Sequence, residues 1–212
     1  MSWHLVAGVP LPDAVGGHPA LDLCNTRAGW GSPEPKEYLT APVALALWAV
    51  DAGLLPGAPA PEQVAERVAA VPARSAGADL RRALALRAAL YRCALGGGAP
   101  GDWQVVSREA AGARTGWRLH PGPDGARWHP PGPDADPVRV ALQAAAACAA
   151  GLLAAPPAHG VAACPGHGCG WLFADPRGRR RWCSMAVCGN RAKARRHAGR
   201  RVNDVTPGAT AG

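Results

Sequence analysis

The chain has 212 residues, enough for one ordinary domain or for a domain with a small module attached. Hydrophobic residues at 48% can build a core, and charged residues at 18% are too few and too mixed for a disordered polyelectrolyte. The net charge of +8 resides entirely in the last 49 residues: residues 1–163 balance 13 Lys and Arg against 13 Asp and Glu, whereas residues 164–212 set ten basic side chains against Asp175 and Asp204.

A neutral body with a concentrated basic end predicts a module that meets a polyanion. No apolar run approaches the ~20 residues needed to cross a bilayer. The opening MSWHLVAGVPLPD has neither a basic start nor a sustained apolar stretch. A soluble, cytoplasmic protein with no membrane partner is expected.

Along the body the signals are mainly helical. The segment HPALDLCNTRAGW (18–30) is an apolar turn followed by the densest polar cluster of this half, Asp22, Asn25, Thr26 and Arg27. These four either line a small-molecule pocket or tie down the end of an element. Leu39, Val43, Leu47, Val50 and Leu54 recur at helical steps; Pro42 interrupts the stretch, which reads as two helices or as one that starts near Pro42. PEQVAERVAAVP (61–72) reads as a short helix, and residues 78–95 place Leu80, Leu84, Tyr91 and Leu95 on one face before Gly96–Gly98 end it. Residues 103–130 read differently: WQVVS, GWRLH and ARWHP, separated by Gly and Pro, predict a small antiparallel β element. Residues 136–154 return to a helical stripe of Val138, Leu142, Ala145, Ala149 and Leu152. All eight tryptophans are expected to pack, and none suggests a platform for stacking bases.

Cys24, Cys93 and Cys148 lie singly among apolar residues and read as core, with redox sensing as their alternative. Cys164, Cys169, Cys183 and Cys188 form two pairs of the same C-x4-C spacing. An odd total of seven cysteines without a secretory leader argues against a disulfide framework. Two thiolate pairs suit a tetrahedral Zn2+ site, and four merely buried cysteines are the alternative. His167 and His197 could each replace a ligand, but both cysteine pairs are already complete. Around the ligands, CPGHGCGWLF supplies glycine-rich bends, WLFADPRGRRRW reads as a hairpin of an apolar and a basic strand, and a helix runs from about Gly189 to Arg201. Turn, hairpin and helix together describe a treble-clef-like finger, too small to fold without its metal. Removing a ligand is therefore expected to unfold the finger and leave the body helical.

The string CGNRAKARRH (188–197), preceded by WCSMAV, resembles the signature of the CGNR zinc-finger family of bacterial proteins, and the match runs from about Cys164 to Arg200. HPALDLCNTRAGW and WAVDAGLL (48–55) resemble the ABATE domain that precedes this finger, with LDLC standing where LDFV-type strings are usual. The resemblance implies that Cys164, Cys169, Cys183 and Cys188 ligate zinc. It also implies DNA binding by the finger and a role in stress-induced transcription regulation. The expected organisation is a mostly helical domain at 1–155 with a small antiparallel β element, a finger at 160–203 and a flexible tail at 204–212.

The candidate nucleic-acid contacts are Arg179, Arg180, Arg181, Asn190, Arg191, Lys193, Arg195, Arg196 and Arg200. Neutralising a thiolate-bound zinc is the alternative role for Arg180, Arg181 and Arg191, and Asn190 is either a reader of base edges or a helix cap. The body carries no nucleophile elbow, phosphate loop, HExxH or paired acids, so an enzyme is not expected. By analogy with one-component regulators, it would sense an effector or form a homodimer. DNA is the leading partner. An RNA- or ribosome-associated protein is the second reading, and a metabolite-binding protein or enzyme using the finger for interactions is the third.

Overall fold

In the computed structural model, residues 2–123, 125–132, 134–175 and 177–204 are described, with side chains as far as Ala198. Arg200 and the tail at 205–212 lie outside the described side chains or residues. The chain opens with a hairpin of β1 (Trp3–Val6) and β2 (Val9–Pro12). Its turn residues Ala7 and Gly8 both have positive φ, 45° and 77°, as a two-residue type I′ turn requires. His4 pins the hairpin: its Nδ1 lies 3.0 Å from Asp13 and its Nε2 3.1 Å from Asp51.

Hydrogen bonds to these two carboxylates, Asp13 first, raise the His4 pKa above its usual 6.5. A raised folded-state pKa contributes stability that is fully present below about 6.5 and is lost as pH rises through the folded value. The stability gap between wild type and His4→Gln, measured by urea unfolding at pH 5.5 and 8.5, is expected to shrink at the higher pH. A gap independent of pH would show that the imidazolium does not hold the hairpin.

Helices follow: α1 (Pro19–Asn25), α2 (Pro42–Asp51), α3 (Pro61–Ala69) and α4 (Ala73–Ala94), with the two-residue strands β3 (Arg27–Ala28) and β4 (Lys36–Glu37) paired between α1 and α2. Pro19, Pro42 and Pro61 sit in the first turns of their helices, where no amide hydrogen is needed. Six consecutive residues of α2, Ala44–Ala49, are buried, so this helix is covered on all sides. On α4 the buried face is Ala83, Leu86, Leu90 and Cys93, one step round from the expected stripe, and Leu95 is 40% exposed. Ala83, Leu86 and Leu90 fill the helix contacts there, and Leu80 and Leu84 are left at the margin.

The segment WQVVS is helical, a correction to the expected strand: it belongs to α5 (Pro100–Gly112). Pro100 opens that helix, and Asp102 accepts a hydrogen bond from the Ala99 amide at 3.0 Å. Local capping outweighs the β propensity of two valines. GWRLH and ARWHP do form a hairpin, β5 (Arg118–Gly122) with β6 (Gly125–His129). α6 (Pro137–Ala154) carries the expected stripe, all of it buried. Its length and mean hydropathy of 1.5 would suit a membrane span, yet it packs as a core helix against α1, α2, α3, α4 and α5. The tryptophans depart from expectation: Trp3, Trp103 and Trp128 are 51%, 46% and 39% exposed.

The C-terminal segment contributes β7 (Val161–Ala163) and β8 (Leu172–Ala174), a π-helical turn (Met185–Gly189) and α7 (Asn190–Asp204). Here too the hairpin differs from expectation. β8 pairs with β7, the strand before the first cysteine pair, and residues 179–182 form no strand. On its other side the Ala174 amide donates to Gly16 O at 2.8 Å. Leu172 and Ala174 belong to the main core with α1, α2, α4 and α6.

Candidate metal centre and nucleic-acid interface

The four cysteines are brought together by three local devices. Cys169 N donates to Gly166 O at 2.8 Å, closing the turn of the first pair. A Cβ on Gly166 would lie 3.0 Å from Cys188 Sγ and 3.4 Å from Cys164 Sγ, so the turn approaches the sulfurs only because this residue is glycine. Cys183 precedes the π-turn and Cys188 lies within it, and Ser184 caps the turn by accepting the Val187 amide at 3.3 Å.

All four sulfurs are buried and lie within 4.8 Å of one another, and none is in a disulfide. The Cys169–Cys183 and Cys183–Cys188 separations are 3.7 and 3.6 Å. A regular tetrahedron with Zn–S near ~2.3 Å has edges of about 3.8 Å, so the spacing fits zinc. S–H donation from Cys169 and then Cys183 lowers the Cys164 pKa, while the same crowding raises those of Cys169 and Cys183. Four thiolates this close repel one another unless a divalent cation sits between them. That donor set fits Zn2+, which in such a site supplies a structural cross-link and stabilises the thiolates. His167 and His197 are exposed and outside the cluster.

The cluster is not an isolated module. It shares a second core with Ala28 and Tyr38 of the body and with Trp171 and Phe173, against which Trp30 and Trp182 pack. Gly29 N donates to Cys169 O at 3.1 Å, and Tyr91 Oη donates to Gly170 O at 2.8 Å. Gly170 needs its freedom, because at φ 67° a Cβ there would stand 2.9 Å from Trp30 Cβ.

The polar cluster of the body makes its hydrogen bonds at and around this joint. Asn25, fully buried, donates from Nδ2 to Leu172 O at 2.9 Å and accepts from Leu172 N at 2.7 Å. Asp22 accepts from the amides of Val15 and Gly16 at 2.9 and 2.7 Å; burial nevertheless raises its pKa. Thr26 Oγ1 donates to Leu23 O and receives Arg87 Nη1 at 2.9 Å. Arg27 offers its carbonyl to Trp171 Nε1 at 3.1 Å and lays its guanidinium 5.0 Å from the centre of the Trp30 ring. Arg87, 3% exposed, also clasps Glu37 at 2.5 and 2.7 Å. Burial pushes the Glu37 carboxyl up, but its hydrogen bonds and charge contact with Arg87 outweigh that and lower its pKa overall.

Cys24, Cys93 and Cys148 are raised above the usual thiol range, chiefly by burial, Cys148 to about 11. His18, whose Nδ1 already accepts the Ala20 amide, lies 4.0 Å from Cys148 and cannot use that nitrogen as a base. These thiols are not activated nucleophiles.

The basic residues divide by environment. Arg180 is structural: its guanidinium donates to the carbonyls of Val15, Trp182 and Cys183 and lies over Phe173. Arg179, Arg181, Arg191, Lys193, Arg195 and Arg196 are exposed, and among the described residues no carboxylate pairs with them. Asn190 is exposed too, its Nδ2 donating to Ala186 O at 3.1 Å at the junction of π-turn and helix. The Arg200 side chain lies outside the described residues.

Four clustered thiols at the base of a basic helix, built onto a helical body, define a zinc-finger protein. Comparison with family models bears this out. Residues 17–156 match ABATE, described as "Putative stress-induced transcription regulator", and residues 161–201 match the CGNR zinc finger. The chain belongs to the ABATE family and carries the CGNR finger behind that domain. No curated protein matches it.

Proposed function

We propose that this protein is a zinc-dependent DNA-binding transcription regulator, with residues 160–203 as the binding finger and residues 1–155 as the domain that supports and regulates it. One observation carries the reading: six exposed cations on the finger have no carboxylate partner among the described residues. At 3.6 residues per turn, Arg191 and Arg195 lie on one flank of α7 and Lys193 and Arg196 on the other. Like charges so placed repel one another in the free protein and are stabilised by phosphate. A helix with cations on both flanks suits a groove with a phosphate wall on each side. Asn190, at the helix start, is then positioned to meet base edges through its unshared amide oxygen.

Selection from a random duplex DNA pool by the zinc-loaded protein at ~150 mM salt, with RNA as competitor, tests this. Enrichment of a defined motif is expected, and its symmetry would report whether two chains bind together. Binding that RNA displaces preferentially, or binding with no enriched motif, would overturn the reading.

A further inference from the structure

Two clefts flank the first turns of α7, and their linings differ in kind. One, about 480 Å³, is lined by Ser2, Ala186, Val187, Asn190, Arg191 and Ala194. The other, about 470 Å³, lies beside the metal centre between Arg179, Arg181 and Arg196, over a floor of Trp182, Ser184 and Met185. Arg196 projects from α7 about 160° round the axis from Ala194, so the helix separates the two clefts.

We infer that the second cleft is a backbone clamp, holding a phosphate–sugar–phosphate stretch of one DNA strand without reading its bases. This rests on the proposed DNA binding and assigns it a division of labour. Its rim carries three exposed guanidiniums without carboxylate partners among the described residues. Ser184 Oγ accepts the Val187 amide, which leaves its hydroxyl hydrogen free to donate to an anion. The lining also includes an apolar part, Met185, 51% exposed, and the half-buried Trp182. A cleft built only for a free inorganic anion has no use for that surface, whereas a sugar ring packs on it. The volume is larger than one phosphate needs and falls within the range of sites that enclose small organic groups, ~300–1,000 Å³. Arg180 lines the same cleft but is held by main-chain carbonyls, and so supports the rim without gripping the ligand. In the other cleft Asn190 supplies an amide, the kind of group that distinguishes bases.

The test uses the full-length, zinc-loaded protein and the triple variant Arg179→Gln, Arg181→Gln, Arg196→Gln. Because these side chains are exposed, the variant is expected to keep one zinc per chain and its thermal midpoint. Its affinity for every duplex is expected to fall by a common factor of roughly 10–100, with the log–log salt slope reduced by about three units and the selected motif unchanged. Met185→Glu, which puts a like charge against the bound backbone, should weaken all duplexes alike. An unaltered salt slope, or a motif altered at particular base positions, would overturn the clamp while leaving DNA binding in place. Failure of the wild-type protein to bind any duplex would overturn both the clamp and the reading beneath it.

Discussion

Cys183→Ser is expected to lose its zinc, falling from one ion per chain to almost none, and to lower the thermal midpoint of the whole chain by about 10 °C or more. A serine oxygen is a poor replacement for thiolate, and the Cys183 sulfur lies 3.7 and 3.6 Å from those of Cys169 and Cys188. Structural zinc contributes roughly 10–16 kcal/mol to the folding of isolated finger peptides, more than any packing this segment offers alone. The body is affected because the finger core is partly made of body residues: Ala28 and Tyr38 pack with the cysteines, and Leu172 and Ala174 enter the main core. If about 3–5 kcal/mol of that shared packing is lost, a chain of this size loses roughly 2–4 °C for each of them. The helices α2, α4 and α6 keep their mutual contacts, so far-ultraviolet circular dichroism at low temperature should change little. Metal analysis by mass spectrometry and a thermal scan check both halves of the expectation. A variant retaining one zinc per chain would sink the ligand assignment, and zinc loss with an unmoved midpoint would show that finger and body do not share stability.

A sequence discloses those parts of a fold that are decided by local chemistry. The cysteine pairs are legible because metal ligation demands particular residue types at particular spacings, and the stripe of α6 because a buried helix repeats its burial every turn. WQVVS misleads because its helix is decided outside the string, by Pro100 and the Asp102 cap. The basic strand of the expected hairpin fails for a related reason: β8 finds its partner upstream, in Val161–Ala163, and Asp175 instead turns the chain by accepting the Arg180 amide. Arg180 itself cannot be told from Arg179 or Arg181 by its neighbours in sequence. The carbonyls of Val15, 165 residues away, and of Trp182 and Cys183, together with the Phe173 ring, make it structural.

Asn25→Ala is expected to destabilise the chain by about 2–5 kcal/mol, a large effect for a residue far from any ligand. Asn25 is the last residue of α1 and has no exposed surface. Its carboxamide completes both main-chain groups of Leu172, donating to the carbonyl and accepting from the amide, as a neighbouring strand would. Leu172 is also fully buried, so truncation leaves a donor and an acceptor without water to replace the lost partner. Because β8 leads directly from the first cysteine pair, the loss falls on the joint between body and finger. Asn25→Asp keeps an acceptor for the Leu172 amide but faces its carbonyl with a second acceptor, and should recover none of the lost stability. Urea unfolding of both variants, with cleavage in residues 155–160 followed by limited proteolysis, measures the effect. Native-like stability in Asn25→Ala would mean that Leu172 is satisfied by another group and that the finger is held to the body chiefly through Tyr91, Trp171 and Arg180.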